Sequence, residues 1–411
     1  MTPLSDLRDI VIVGGGPAGL TTAASLVRHD PRLRGRIVVV EKARYPREKL
    51  CAGGLGDRGW KWLERLEIEV DVPQVLIDGV SVCSREGHLV SKPGRIGRVI
   101  RRIEFDHALM ERVRDLGVRI EDGARVRALH DHGDHVQVET SRGALRASVV
   151  VGADGVGSMV RRTMGLHAGA FRATVLEVDT APTPHDLPRD LIHFDASDRD
   201  YAGYIWDFPS MVDGEPVVCR GIYVLRPREG AVTDVPPDDS VDVEALLARY
   251  LADRGLDLSS VRRKRFAERG FVPRDRVVDG RRILVGEAAG IDPISGEGIA
   301  QAIEGGGRAG AFLAGWDGSR DGLTAWQSTF ERSRLGWDLW VRSSGVSLFY
   351  GDWRPRLERA FARSPKLLEA GALHWAGRVP GPGLLVPGVC NAAIGAVSAP
   401  PATEHLSPNR G

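Results

Sequence analysis

The sequence predicts a mixed α/β fold: a parallel sheet built from βαβ units, an antiparallel sheet interleaved with it, and a helical C-terminal region. Three observations carry this. The apolar run Asp9-Ile10-Val11-Ile12-Val13 passes directly into Gly14-Gly15-Gly16-Pro17-Ala18-Gly19. Two more Gly-centred segments follow in order, Gly152-Ala153-Asp154-Gly155 and Gly286-Glu287-Ala288-Ala289-Gly290. Between those two, residues 171–226 break into short β-like runs split by Pro, Asp and Gly.

Ile10 to Val13 read as a buried parallel strand. Gly14 allows the tight turn after it, Gly16 lets backbone approach a pyrophosphate, and Gly19 permits close helix–strand packing. The helix opening at Pro17 and Ala18 offers free N–H groups and a positive dipole end to phosphate. A second strand, Arg36 to Val40, ends in Glu41, 22 residues beyond Gly19 and near the offset of a carboxylate that meets a ribose hydroxyl. This is a Rossmann-type dinucleotide unit, and the three motifs in order spread one large cofactor site, for FAD, over most of the chain.

Ala43 to Gly59 reads as a Gly-rich charged connection. Residues 75–100 alternate apolar and polar, as antiparallel strands do, and Phe105 to Leu116 has helical spacing. Val118 to Ile120 and Val136 to Val138 are short strands, and Val149 to Val151 returns to the parallel sheet. Residues 171–226 form a separate antiparallel sheet, 241–254 a helix, Ile283 to Val285 a buried strand and Gly298 to Leu313 a helix. The expected organisation is an FAD-binding domain of residues 1–170 with 265–315, in which 75–100 can contribute to the substrate side. An antiparallel-sheet substrate domain of 171–264, a helical region of 316–378 and an irregular tail of 379–411 complete it.

Composition narrows the classes. Fifty-six basic residues against 55 acidic ones, without clustering, argue against a nucleic-acid partner. Cys51, Cys83, Cys219 and Cys390 are isolated, which argues against a zinc site or a disulfide framework and fits a reducing cytoplasm. No metal site is expected. The N-terminus carries no secretory signal, and no run of about 18 apolar residues suggests a spanning helix.

The order βαβ, Arg102-Ile103-Glu104-Phe105-Asp106, Gly-Ala-Asp-Gly, Gly-Glu-Ala-Ala-Gly resembles the p-hydroxybenzoate hydroxylase-like flavoproteins. Within them it is most similar to the geranylgeranyl reductase family. Lys49-Leu50-Cys51-Ala52-Gly53-Gly54 resembles that family's K-x-C-x-G-G loop, and Tyr204-Ile205-Trp206-Asp207-Phe208-Pro209 its Y-x-W-x-F-P motif. The broad resemblance covers about residues 9 to 315.

The resemblance implies that Gly14, Gly16 and Gly19 cradle the pyrophosphate, with Glu41 and Lys42 at the adenosine ribose and Val126 at the adenine. Arg102 reaches FAD from across the site. Asp154 belongs to the second fingerprint and braces the fold. Glu287, after Gly286, replaces the usual Asp that bonds the ribityl chain. Gly296, Gly298 and Ile299 bring backbone N–H groups to the flavin's N1–O2 edge, where reduced flavin carries negative charge. Cys51 lies close to the flavin and lines the cavity. Tyr204, Trp206 and Phe208, at period two, share a strand face; they read as an ordinary sheet core or, as preferred here, as an apolar wall for a hydrophobic substrate.

No second GxGxxG–helix unit appears, so the reductant stays open: NAD(P)H docking without a dedicated domain, reduced ferredoxin, or an external flavin or flavoprotein partner. The expected activity is that of an FAD-dependent oxidoreductase acting on a hydrophobic small molecule or lipid, by C=C reduction or by hydroxylation. The alternative is a tailoring or maturation enzyme, monooxygenase or halogenase-like, acting on a natural product or on a partner protein's side chain. Halogenation is disfavoured by the lack of a Trp-x-Trp-x-Ile-Pro segment. Six of the nine Trp fall between 316 and 375. Trp326, Trp337, Trp340 and Trp353 read as core or as an amphipathic surface for peripheral membrane contact, and the core reading is preferred.

Overall fold

The computed structural model describes residues 10–166, 169–229, 231, 233–236 and 241–378. Helices run in chain order as α1 (Pro17–His29), α2 (Asp57–Arg65), α3 (Arg102–Asp115), α4 (Met159–Thr163), α5 (Val243–Ala252), α6 (Ile299–Ala314), α7 (Arg320–Glu331), α8 (Arg334–Ser344), α9 (Val346–Tyr350), α10 (Arg354–Arg363) and α11 (Pro365–Trp375).

The β-branched run Ile10–Val13 is fully buried, as a strand covered on both faces must be. It sits centrally in a six-stranded sheet ordered Val278–Asp279, Arg282–Leu284, Val149–Gly152, Ile10–Val13, Ile37–Glu41, Arg119–Asp122. Pairing is parallel from Arg282–Leu284 through to Arg119–Asp122. All three Gly motifs thus leave neighbouring strands at one edge of the sheet. α1 and α6 pack backbone to backbone beside it. A Cβ at Gly306 would lie 2.2 Å from the Ala18 carbonyl oxygen, and one at Gly310 2.5 Å from Thr22 O. Ser25 Oγ donates to Gly307 O at 2.7 Å across the same contact.

A seven-stranded sheet faces this unit, ordered Lys264–Glu268, Phe171–Thr180, Glu215–Pro227, Gly203–Val212, Leu191–Asp195, Gly79–Ser84, Gly87–Ser91. Its pairing is antiparallel, as expected, except that Gly79–Ser84 pairs parallel with Leu191–Asp195. The chain between them runs through the parallel sheet, and such a long crossover permits parallel pairing where a hairpin would not. A boundary at residue 264 falls at the start of the strand Lys264–Glu268, which pairs with Phe171–Thr180. The expected connection 43–59 holds a short strand, Gly54–Gly56, and its last three residues open α2, which its Gly-rich approach hides in the sequence.

The C-terminal region is helical as far as Trp375. Trp326 is fully buried and packs on Phe312 and Phe330, as the core reading expects. For three other Trp that reading is wrong: Trp337, Trp340 and Trp353 are 56%, 51% and 49% exposed. α8 buries Leu335, Gly336 and Leu339 instead, and so turns its two Trp outward. The expected irregular tail, with Cys390, lies outside the described residues. Among those residues no helix is long and apolar enough to cross a membrane.

Candidate functional site

The loops at the carboxyl ends of the parallel strands open on a cavity of about 1500 Å³ that continues under the seven-stranded sheet. Single small-ligand sites occupy roughly 300–1,000 Å³. Gly14, Gly16, Pro17, Ala18, Glu41, Lys42, Cys51, Arg102, Val126, Asp154, Tyr204, Trp206, Glu287, Gly296, Gly298 and Ile299 all line it. Gly19 and Gly286 do not. A Cβ at Gly19 would lie 2.0 Å from Gly14 O, and one at Gly286 2.6 Å from Ala18 Cβ, so both serve close packing around α1.

One end is built for an anion. α1 starts after Gly16 without a side-chain cap, although its first turn is buried. Buried N–H groups at a helix start need a partner. Gly14 takes φ +107°, where a Cβ would strike Ala153 O at 2.3 Å. Gly16 instead faces open space, with Arg47 Nη2 and Arg102 Nη2 at 3.7 and 4.0 Å from its Cβ position. Arg102 donates to both carboxylate oxygens of Asp106 at 2.7 and 2.8 Å, and Arg47 reaches the same carboxylate at 3.0 Å. Burial works against the charge on Arg102, but Asp106 more than offsets it and holds the guanidinium above its usual pKa. The combination of uncapped helix, hole and two guanidiniums fits a pyrophosphate. Arg47 went unrecognised because it is one charge among several in the 43–59 segment.

Glu41 is buried and accepts from the N–H groups of Gly15 and Ala43 at 2.8 and 2.9 Å, which fixes its carboxylate beside the Gly loop. Asp154 accepts from Ser158 Oγ at 2.5 Å and Met159 N at 2.6 Å, tying the second Gly motif to the start of α4. Glu287 accepts from Arg269 N at 3.3 Å.

Three consecutive carbonyls shape the other end. Tyr223, Tyr350 and Tyr204 donate their hydroxyls to Pro293, Ile294 and Ser295 at 2.8, 2.5 and 2.5 Å. They hold the turn in which Gly296 adopts φ +66° and Gly298 opens α6 without a side-chain cap. Acids gather around this turn. Burial pushes Glu297 up to about 7, and neither carboxyl oxygen has a hydrogen-bond partner among the described residues; Arg342 stands 3.9 Å away. Glu177 is likewise raised to about 7 by burial and accepts from Cys51 N at 3.2 Å. Burial, then the neighbouring Glu287, pushes Glu268 well above its usual pKa. Its Oε2 lacks a hydrogen-bond partner among the described residues and stands 2.6 Å from the Cβ position of Gly296. Burial also raises the Cys51 thiol, although Arg102 pulls the other way. Glu177 and Glu268 sit alone on separate strands, so no local pattern pointed to them.

The wall facing this turn is aromatic. Phe194 meets Tyr204 and Phe208 edge-on, with ring centroids 5.2 and 5.4 Å apart, and Tyr204 stacks on Tyr223 at 5.2 Å. Trp206 is 4% exposed, and Gly221 leaves room for its ring: a Cβ there would come within 2.2 Å. Trp337, Leu348, Phe349 and Trp375 extend the apolar lining toward the C-terminal helices.

The FAD binding domain family model matches residues 8–316. The chain is 27% identical over 345 residues to a menaquinone reductase of Mycobacterium tuberculosis, covering 79% of this chain and 80% of that protein. It is 29% identical over 318 residues to a geranylgeranyl diphosphate reductase of Rhodobacter capsulatus, covering 72% and 73%. The crystal structure of a geranylgeranyl bacteriochlorophyll reductase-like protein from Thermoplasma acidophilum superposes with a TM-score of 0.63 over 93% of this chain and 95% of that one, at 19% identity.

Proposed function

The chain belongs to the FAD binding domain family and is an FAD-dependent oxidoreductase, and from this premise we propose that it reduces a carbon–carbon double bond in a long apolar, isoprenoid-type substrate. The observation that carries this is the single cavity that joins an anion cradle to an aromatic-walled chamber. The names of two relatives, a menaquinone reductase and a geranylgeranyl diphosphate reductase, point the same way.

In this reading Gly14, Gly16, Pro17 and Ala18 hold the pyrophosphate with Arg47 and Arg102. Glu41, Lys42 and Val126 receive the adenosine, and Glu287 the ribityl chain. The N–H groups at Gly296, Gly298 and Ile299, at the uncapped start of α6, would stabilise the negative charge of a reduced flavin. Asp154 braces the loop between. Bound FAD supplies the hydride; the chain's own residues do the rest. Phe194, Tyr204, Trp206 and Phe208 orient the alkene and exclude water. Glu268, kept neutral beside the Gly296 turn, donates the proton that completes the reduction at the second carbon, and is recharged from solvent.

The test is anaerobic. FAD-loaded protein, reduced with dithionite, is mixed with geranylgeranyl diphosphate or a menaquinone, and flavin reoxidation and product mass are followed. Reoxidation with gain of two hydrogens in the isoprenoid chain, still present after any quinol has been reoxidised to the quinone by air, supports the reading. Reoxidation only on admitting oxygen, with gain of an oxygen atom in the product, overturns it in favour of hydroxylation. Glu268→Gln should keep its FAD yet slow anaerobic reoxidation by about 10²–10⁴-fold.

A further inference from the structure

We propose that the outward face of α8 and α9, with Trp353 at the start of α10, docks on an anionic lipid bilayer and sets the cavity mouth against it. The inference rests on the cavity being the site of an apolar substrate.

Trp337, Trp340 and Val341 on α8, Leu348 and Phe349 on α9, and Trp353 are the large apolar side chains exposed here, each at least 37% accessible. Trp337 and Trp340 touch edge-on at 5.5 Å, so they form one surface. A helix that turns its aromatic side chains to solvent loses their burial unless something covers them. Two facts say what does. The patch is continuous with the cavity, because Trp337, Val341, Leu348 and Phe349 also line it. The surrounding charge is basic: residues 332–366 carry eight Arg or Lys against three acids. Two of those acids are held, Asp338 by Arg58 and Arg342, and Glu358 by Arg354 and Arg199, so Arg342 and Arg354 add nothing to the surface charge and six basic residues face one remaining acid, Asp352. Arg334 stands at the mouth beside Trp337, and Arg356 lies over the Trp353 ring at 4.7 Å. Neither is paired with a carboxylate among the described residues. Trp and basic side chains around an apolar face suit the interface of an anionic bilayer. A lipid could then pass from the bilayer to the aromatic chamber without crossing water.

The experiment uses oxidised, FAD-loaded full chain without substrate, in flotation with vesicles of phosphatidylcholine alone or with phosphatidylglycerol. Binding should be strongest to phosphatidylglycerol vesicles and weaken with salt. Brominated phospholipids in those vesicles should quench the Trp fluorescence. Trp340→Ser with Trp353→Ser, neither of which lines the cavity, should weaken binding roughly tenfold or more while FAD content and Tm hold. Arg334→Gln with Arg356→Gln should weaken it about fivefold per charge on anionic vesicles only. No partition of the native chain, equal partition of the Trp variant, or a dimer that the Trp substitutions dissociate would each overturn the proposal. Because no turnover is measured, its failure leaves the reductase reading standing, and failure of the redox assay leaves the docking surface standing.

Discussion

At the scale of single residues, position within the same motif separates binding from packing. Gly16 has extended backbone, φ −83° and ψ −177°, open to any side chain, and a hole where its Cβ would point. Gly16→Val should therefore fold, with stability changed by no more than about 1 kcal/mol. Its methyls would fill the hole at the start of α1, and the protein should elute from gel filtration without FAD; full retention of flavin would show that the phosphate lies elsewhere. Glu297 carries a pH dependence, which Glu177, raised as far by burial, shares. Its folded pKa, about 7, lies above the 4.5 of the unfolded chain, so its share of stability is fully present below pH 4.5 and is lost as pH rises through about 7. That loss is on the order of 3 kcal/mol. Glu297→Gln should lessen, without abolishing, the slope of the Tm profile of the FAD-free protein between those limits, since Glu177 titrates over the same range; an unchanged slope would mean that Glu297 has no share in it. The Gly residues and Glu41 were readable in the sequence because each answers to a local rule of spacing. Arg47, Glu177 and Glu268 were not, because what makes them notable is what the fold brings beside them.

At the scale of elements, the contact between α1 and α6 keeps the anion cradle and the Gly296 turn in register, since one helix begins at each. It depends on the lack of side chains at Gly306 and Gly310. Gly306→Ala would push a methyl into the Ala18 carbonyl and Thr21 Oγ1, both 2.2 Å from the Cβ position. The expected destabilisation is about 1–3 kcal/mol, with weaker FAD binding because α1 is displaced. A Tm unchanged from the native protein would show that the helices can part without loss. The helices and the parallel strands were legible from periodicity and buried β-branched runs. α2 was not, since its Gly-rich approach imitates a loop. The preference for buried Trp failed at α8 because a three-residue spacing says which side chains share a face, not which way that face turns.

At the scale of the whole molecule, the chain passes from the parallel sheet to the seven-stranded sheet and back more than once, so the cavity is walled by segments from residue 13 to residue 375. The sequence signalled this interleaving through the order of its motifs. The parallel register of Gly79–Ser84 on Leu191–Asp195 was beyond it, because pairing across more than a hundred residues leaves no local trace. The purified protein should carry one FAD per chain, released by acid precipitation. Flavin that stays with the precipitate would point to attachment through Cys51, the thiol on the cavity wall. Both molecules are to be received in one continuous space, so the flavin ring would itself form a side of the substrate chamber. Cofactor and substrate are then thermodynamically linked: whatever tightening the flavin gives the substrate, the substrate must return to the flavin by the same factor. A protein short of FAD would lose its grip on substrate before any residue of the aromatic wall had changed, and a cell's flavin supply would set its apparent substrate affinity.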